Sequence, residues 1–186
     1  MTKTELYNKL NYVNHTREKR TEMAHMVRND PTLVPVLLSL VFEVDDPVSS
    51  KACWVLEFVV KENLSLLFPH LDTFIANMGS VYLDSSVRPL AKICECLVLA
   101  YFSKNNEQVQ LALSEKHLEQ MVTSCFDWLI GDYKVAAKAY SMTSLYLLGR
   151  KFPWVHPELR LVIEQNYATG SAAYKARARH TLAKLK

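Results

Sequence analysis

The chain has 186 residues, of which 49% are hydrophobic and 22% charged, enough for one folded unit with a substantial core. Glycine occurs only 4 times, which disfavours an all-β chain with many tight turns. The net charge of +3 is too small to indicate nucleic-acid binding by itself. No apolar run approaches the roughly 20 residues that span a bilayer, and the N-terminus has no signal-peptide pattern. We therefore expect a cytoplasmic protein without membrane contact.

The four cysteines lie in apolar stretches with helical periodicity, which is typical of free, buried thiols. Cys94 and Cys96 are two residues apart, so on a helix they face nearly opposite sides and cannot bind one metal ion. The sequence predicts no metal site and no cofactor.

The first predicted elements are a pair of helices over 14–30 and 31–44. After them, the pattern D-x-x-V-x-x-x-A occurs three times, as "DDPVSSKA" at 45–52, "DSSVRPLA" at 84–91 and "DYKVAAKA" at 132–139. In each copy, helical geometry places the Val and the Ala on one apolar face. The preceding acids, Asp45, Asp84 and Asp132, stand where an N-cap or first-turn carboxylate accepts backbone N–H groups.

A second apolar-periodic segment follows each copy, over 69–78, 115–130 and 157–168. Pro69 and Pro157 suit first helical turns, and Gly131 and Gly170 stand where left-handed caps favour glycine. The unit is therefore a helical hairpin. Residues 103–114 form a polar loop or a short extra helix, and 171–186 begins another first helix, with Ala172 and Ala176 at the Val and Ala positions.

Copies that start 39 and 48 residues apart, each with two helices, are typical of an α-solenoid. The D-x-x-V-x-x-x-A opening followed by two helices resembles HEAT repeats over residues 15–186. The resemblance implies an all-α, right-handed superhelix of about four antiparallel helix pairs plus a closing C-terminal helix. We expect one HEAT-like, ARM-type domain over 1–186.

Two side chains on the polar stripes of first helices have a simple interpretation. Glu57 is expected to be exposed and to pair with Lys61 at i,i+4, and Glu95 likewise to be exposed and to pair with Arg88 or Lys92. Trp54 and Phe58 flank the stripe and are expected to wedge between adjacent repeats.

The sequence gives no positive sign of catalysis, because its histidines occur singly and it has no phosphate-binding Gly-rich loop. The stretch "GSAAYKAR" from Gly170 resembles the Gly-Ser-Ser loop of the adenylosuccinate lyase and fumarase superfamily only faintly. Ala172 replaces the second Ser, the Met-Pro is absent, and that superfamily uses a far longer chain. We therefore do not expect a lyase.

A non-catalytic protein-interaction or scaffold module is the first functional hypothesis. In HEAT repeats the second helices line the concave surface, so the resemblance implies that a protein or peptide binds there. An alternative for Trp128 is ordinary packing. The candidate contact residues on second helices are Asp72, Asn77, Gln120, Ser124, Asp127 and Trp128.

A nucleic-acid-binding protein is the alternative hypothesis. Residues 171–186 carry bases without an acid, and the DNA-alkylation-repair glycosylases, which are HEAT-like, bind DNA through a basic inner surface. The candidate phosphate contacts are Lys175, Arg177, Arg179 and Lys184. However, Arg177 and Arg179 point about 200° apart on a helix, and a terminal repeat needs a polar outer face in any case.

Overall fold

The computed structural model describes residues 1–104 and 107–185, and over these ranges the chain forms eleven α-helices. They are α1 (Lys3–Leu10), α2 (Arg17–Asn29), α3 (Leu33–Val41), α4 (Pro47–Glu62), α5 (Leu71–Asn77), α6 (Asp84–Tyr101), α7 (Glu107–Ala112), α8 (Glu115–Ile130), α9 (Val135–Leu148), α10 (Val155–Tyr167) and α11 (Ala172–Leu182). Two 3-10 segments, Leu64–His70 and Met78–Ser80, flank α5. No strand occurs within the described ranges.

The helices are arranged in two rows. One row consists of α2, α4, α6, α9 and α11, each packed on the next. The other consists of α3, α5, α8 and α10, where α5 contacts α8 and α8 contacts α10. The N-terminal helix α1 packs on α3 and α4. The predicted all-α solenoid is confirmed.

The two rows differ in how closely their helices approach one another. Contacts between neighbours are extensive from α4 to α6 and from α6 to α9, but sparse from α5 to α8 and from α8 to α10. The row containing α4 is therefore the more closely packed of the two. We call it the inner row and the other the outer row.

The helices also pair differently along the chain from what the repeat pattern predicts. α8 packs along α9, which follows it, far more than on α6, which precedes it. Likewise α3 packs along α4. For α3 and α8 the closest partner is therefore the first helix of the next predicted unit, whereas α10 packs on both α9 and α11.

Two of the recurring acids, Asp45 and Asp84, join repeats, and none of the three is the N-cap residue of its helix. The N-cap of α4 is Asp46, whose carboxylate accepts from the Val48 N–H at 2.7 Å. Asp45 instead accepts a 2.7 Å hydrogen bond from the Tyr82 hydroxyl. Asp84 accepts from the backbone N–H of Lys134 at 3.0 Å. Both acids therefore bind the loop that precedes the next inner helix.

The predicted buried face holds in the first two copies and shifts later. Val48, Ala52, Val87 and Ala91 are all at most 3% exposed, whereas Val135 and Ala139 are half-buried. In α11, Ala172 and Ala176 are exposed, and the buried residues are Tyr174, Ala178 and Thr181. The large Tyr174 ring fixes the register of this helix because it offers more apolar surface to bury than the alanines do.

Gly131 and Gly170 are required by close packing and not by left-handed caps, since no residue in the described ranges has positive φ. A Cβ at Gly131 would lie 2.9 Å from the Asp127 carbonyl oxygen. One at Gly170 would lie 2.4 Å from Cδ1 of Tyr174.

The remaining expectations concern the insertion and the ends of the chain. Within the predicted 103–114 segment, α7 is the short extra helix, while residues 105 and 106 lie outside the described ranges, as does residue 186. Among the helices described, none is long and apolar enough to cross a membrane.

Candidate interaction surface

The solvent-facing side of the inner row is lined by half-buried cationic and aromatic side chains. We call it the inner face and define it by Arg20 on α2, Trp54 on α4, Arg88 and Lys92 on α6, and Tyr140 on α9. These residues come from four consecutive inner helices. Each repeat therefore contributes one strip of a continuous surface.

A buried carboxylate holds Arg88 in place. Glu57 is only 4% exposed, and its two oxygens accept hydrogen bonds from Arg88, at 2.6 Å from Nη2 and 3.3 Å from Nη1. This bidentate pair links α4 to α6. The expectation that Glu57 is exposed and paired with Lys61 is wrong, because the cross-repeat partner is a planar guanidinium that matches the carboxylate fork.

A second buried acid lies further along α6. Glu95 accepts a 2.6 Å hydrogen bond from the Lys92 ammonium, one of its two predicted partners, but it is only 6% exposed, so the expectation that it is exposed is wrong. Burial lowers the pKa of Lys92, but the hydrogen bond and the negative charge of Glu95 outweigh it and leave that pKa above its usual value. The Lys92 ammonium also lies 4.8 Å from the ring centroid of Tyr140 on α9.

Arg20 stacks on Trp54 across the α2–α4 boundary. Its guanidinium carbon lies 4.4 Å from the Trp54 ring centroid, and its Nε donates to the Asn14 carbonyl at 3.2 Å. Burial and the positive charge of Arg88 lower the pKa of Arg20, while Glu57 raises it. Trp54 and Glu57 are one helical turn apart on α4, so Arg20 and Arg88 lie at neighbouring places on the same face.

Trp54 and Phe58 bridge repeats, as expected. The indole N–H of Trp54 donates to the Ser85 carbonyl on α6 at 2.7 Å. The Phe58 ring is covered by Arg17 from α2, 6.0 Å from its centroid, and by Lys61, 5.4 Å away. A cluster of serines makes a further contact between α4 and α6, since the Ser50 hydroxyl lies 2.8 Å from those of both Ser85 and Ser86.

The two rows carry opposite charge. The five inner helices contain twelve Lys or Arg residues against six Asp or Glu residues. In the outer row, two bases, Lys116 and Arg160, stand against six acids. The outer acids are Asp72, Glu115, Glu119, Asp127, Glu158 and Glu164. The inner row therefore attracts anionic groups, and the outer row repels them.

The predicted contact residues all lie on the outer row, on α5 and α8. Asp72 is exposed, and its carboxylate accepts a 2.7 Å hydrogen bond from Nε2–H of His117, which ties α5 to α8. Asn77 and Asp127 are exposed, and Gln120 is half-buried.

Two of the predicted contact residues are buried. Ser124 is 7% exposed and Trp128 only 2%. The prediction that these two residues contact a partner is wrong in this fold, because their side chains pack in the core. The alternative of ordinary packing is confirmed for Trp128.

The predicted phosphate contacts extend the inner row at its C-terminal end. Lys175 and Arg177 are half-buried, whereas Arg179 and Lys184 are exposed. The Lys184 ammonium lies 5.4 Å from the Tyr146 ring centroid on α9, and Arg179 donates to the Tyr167 hydroxyl on α10. The four cations thus surround α11 and do not form one cluster.

The cysteines are free thiols, with Cys53, Cys94 and Cys125 buried. Burial raises the pKa of Cys53 to about 12. The part of the chain that the structure describes contains no group of three or more His, Cys, Asp or Glu residues arranged to hold a metal ion.

Paired helices stacked in two rows, each packed on its neighbours, define the class of α-solenoid proteins. The family model of the HEAT repeat domain matches residues 6–185, and the chain belongs to that family. No curated protein and no solved structure matches it.

Proposed function

We propose that the chain is a non-catalytic interaction module that binds an acidic partner protein on its inner face. The main support is that the inner row has an excess of basic residues and the outer row an excess of acidic ones. The inner face is therefore electrostatically complementary to an anionic surface. HEAT repeat domains generally act as interaction or scaffold modules, which supports the same role.

The state of the side chains supports a binding role as well. Arg88 and Lys92 are held by buried acids, and Arg20 is stacked on Trp54. Side chains that are already ordered lose little rotamer freedom when a partner binds. Arginine and tryptophan are also the residues most often found at energetic centres of interfaces.

Affinity capture from a nuclease-treated native extract tests this role. The bait proteins are the wild-type chain, an inner-face variant Arg20→Glu, and a matched outer-row variant Lys116→Glu. We expect the wild-type chain and Lys116→Glu to retain the same proteins, and the inner-face variant to lose them. Equal retention by all three baits would contradict the proposal.

Nucleic-acid binding is the second candidate, favoured by the absence of acids in α9 and α11. Its contacts are Lys175, Arg177, Arg179 and Lys184. It requires that retention on DNA or RNA fall steeply with salt and that Arg177→Ala weaken it. Salt-independent or absent retention excludes it.

Two further features belong to the proposal. We propose that 1–186 is one domain, supported by a single cluster of buried apolar residues that runs from Leu6 to Ala178. The accessible outer-row candidates, Asp72, Asn77, Gln120 and Asp127, form a second contact surface for a partner that carries basic groups.

A further inference from the structure

We propose that the inner face contains a carboxylate-binding position between Arg20 and Arg88, and that its occupant is an Asp or Glu side chain of an acidic partner segment. This inference rests on the proposed function and names the chemistry of the contact. It places the position on α4, between α2 and α6, and we call this part of the inner face the seam.

Arg20 does not use all of its guanidinium N–H donors within the chain. A guanidinium carries five N–H donors, and Arg20 uses its Nε–H on the Asn14 carbonyl while one face lies on Trp54. Among the described residues, no carboxylate lies within 4.0 Å of it. Its Nη groups therefore remain open to a carboxylate from outside the chain.

Arg88 supplies the second half of the position. Its bidentate pair with Glu57 uses two of its five donors and fixes the plane of the group. Its side chain is 31% exposed, so the remaining donors are within reach of a partner. Two guanidinium groups share the single negative charge of Glu57, and this leaves one positive charge uncompensated.

The like charges give the position its affinity for an anion. Arg20 lies against Trp54 and Arg88 against Glu57, one turn further along α4, so two like charges occupy neighbouring places on one face. An external carboxylate that bridges them offsets their repulsion and adds charge-assisted hydrogen bonds.

The aromatic rings favour a protein over a nucleic acid as the source of the anion. Proteins that bind single-stranded nucleic acid stack bases on open aromatic faces. Here Arg20 covers Trp54, Lys92 covers Tyr140, and Arg17 and Lys61 cover Phe58. Two inner cations are also already neutralised by Glu57 and Glu95. The seam thus offers one positive charge to a carboxylate and no free platform to a base.

The test is fluorescence anisotropy with the full chain and two probes. One is a fluorescein-labelled acidic peptide of Glu, Asp, Leu and Ser, and the other is a labelled oligothymidylate of equal net charge. The variants are Arg20→Ala, Arg20→Lys and the control Lys19→Ala, which removes a neighbouring cation on α2 that lies over Tyr12 and not over Trp54. Circular dichroism at the assay temperature confirms that each variant is folded.

We expect the wild-type chain to bind the acidic peptide more tightly than the oligothymidylate. Arg20→Ala should weaken peptide binding about tenfold, and Lys19→Ala less than about twofold. Arg20→Lys should recover little, because an ammonium cannot bind a carboxylate bidentately. If Arg20→Ala does not fold, the contrast between Arg20→Lys and Lys19→Ala carries the test.

Three results would overturn the inference: no peptide binding at low salt, equal losses in Arg20→Ala and Lys19→Ala, or tighter binding of the oligothymidylate. The first two leave the proposed function standing if capture still depends on the inner face. Loss of nuclease-resistant capture contradicts the proposed function itself. The two failures are therefore distinguishable.

Discussion

At the residue scale, the pair of Glu57 and Arg88 couples stability to the candidate surface. The carboxylate is buried and bound by two hydrogen bonds from the next repeat. Removing its partner leaves a buried charge without compensation, which is far more costly than losing an exposed pair.

Arg88→Ala should lower the free energy of unfolding by about 2 kcal/mol, less than for a fully buried pair because Arg88 is partly exposed. Urea denaturation followed by circular dichroism measures the change. The matched control is Lys3→Ala, which breaks the exposed pair with Glu43 and should cost less than about 1 kcal/mol. Similar losses in both variants would show that Glu57 is not buried in solution.

Cys53 makes stability depend on alkaline pH. Its pKa is about 12 in the folded chain, well above the value of about 8.5 for a free thiol. As the pH rises between these values, the unfolded state loses this proton while the folded state keeps it, so the free energy of unfolding falls.

We expect Cys53→Ala to lose less stability than the wild-type chain when urea denaturation is repeated from pH 8 up to about pH 11. The two proteins are compared by how their free energy of unfolding changes with pH and not by its value at one pH, because the substitution also removes a buried sulfur atom. Parallel pH profiles for the two proteins would contradict the assignment.

At the element scale, the start of α4 separates the roles of two adjacent acids. Asp46 caps the helix through the Val48 N–H and also accepts from the Tyr7 hydroxyl at 3.1 Å. Asp45 makes an exposed contact with Tyr82 in the following repeat.

Asp46→Ala should therefore destabilise the chain by about 1 kcal/mol or more, and Asp45→Ala by less than about 0.5 kcal/mol. Thermal unfolding of the two variants under identical conditions provides the comparison. A larger loss of stability for Asp45→Ala would indicate that Asp45, the acid of the repeat pattern, caps α4 instead of Asp46.

The repeat pattern predicts elements well because its signals are local. Val48 and Ala52 repeat as Val87 and Ala91, and in both copies they mark a buried face. The pattern fails where packing across repeats decides the register, as in α11, where the Tyr174 ring and not Ala172 or Ala176 enters the core.

The candidate surface was less accessible to sequence reasoning. Glu57 and Arg88 are 31 residues apart, and nothing local to either residue marks the other as its partner. Arg88 follows the recurring Val87, and this position is the one signal that could have drawn attention to it. Which helices form the closely packed inner row depends on contacts between repeats, and no local pattern in the sequence marks those contacts.

At the scale of the whole molecule, the two rows of helices differ both in how closely they pack and in their charge. The inner row is both the more closely packed and the more basic, while the outer row carries most of its charge as acids. A surface with an excess of one charge sign raises the rate at which oppositely charged partners associate. The central claim is that partners bind this inner face.

Hydrogen–deuterium exchange of the chain, free and bound to the captured partner, tests that claim most directly. We expect binding to slow exchange in α4, α6 and the N-terminal half of α9, around Trp54, Arg88 and Tyr140, and to leave α5, α8 and α10 unchanged. Protection confined to α5 and α8, where Asp72, Asn77 and Asp127 are exposed, would contradict the claim and place the partner on the outer row.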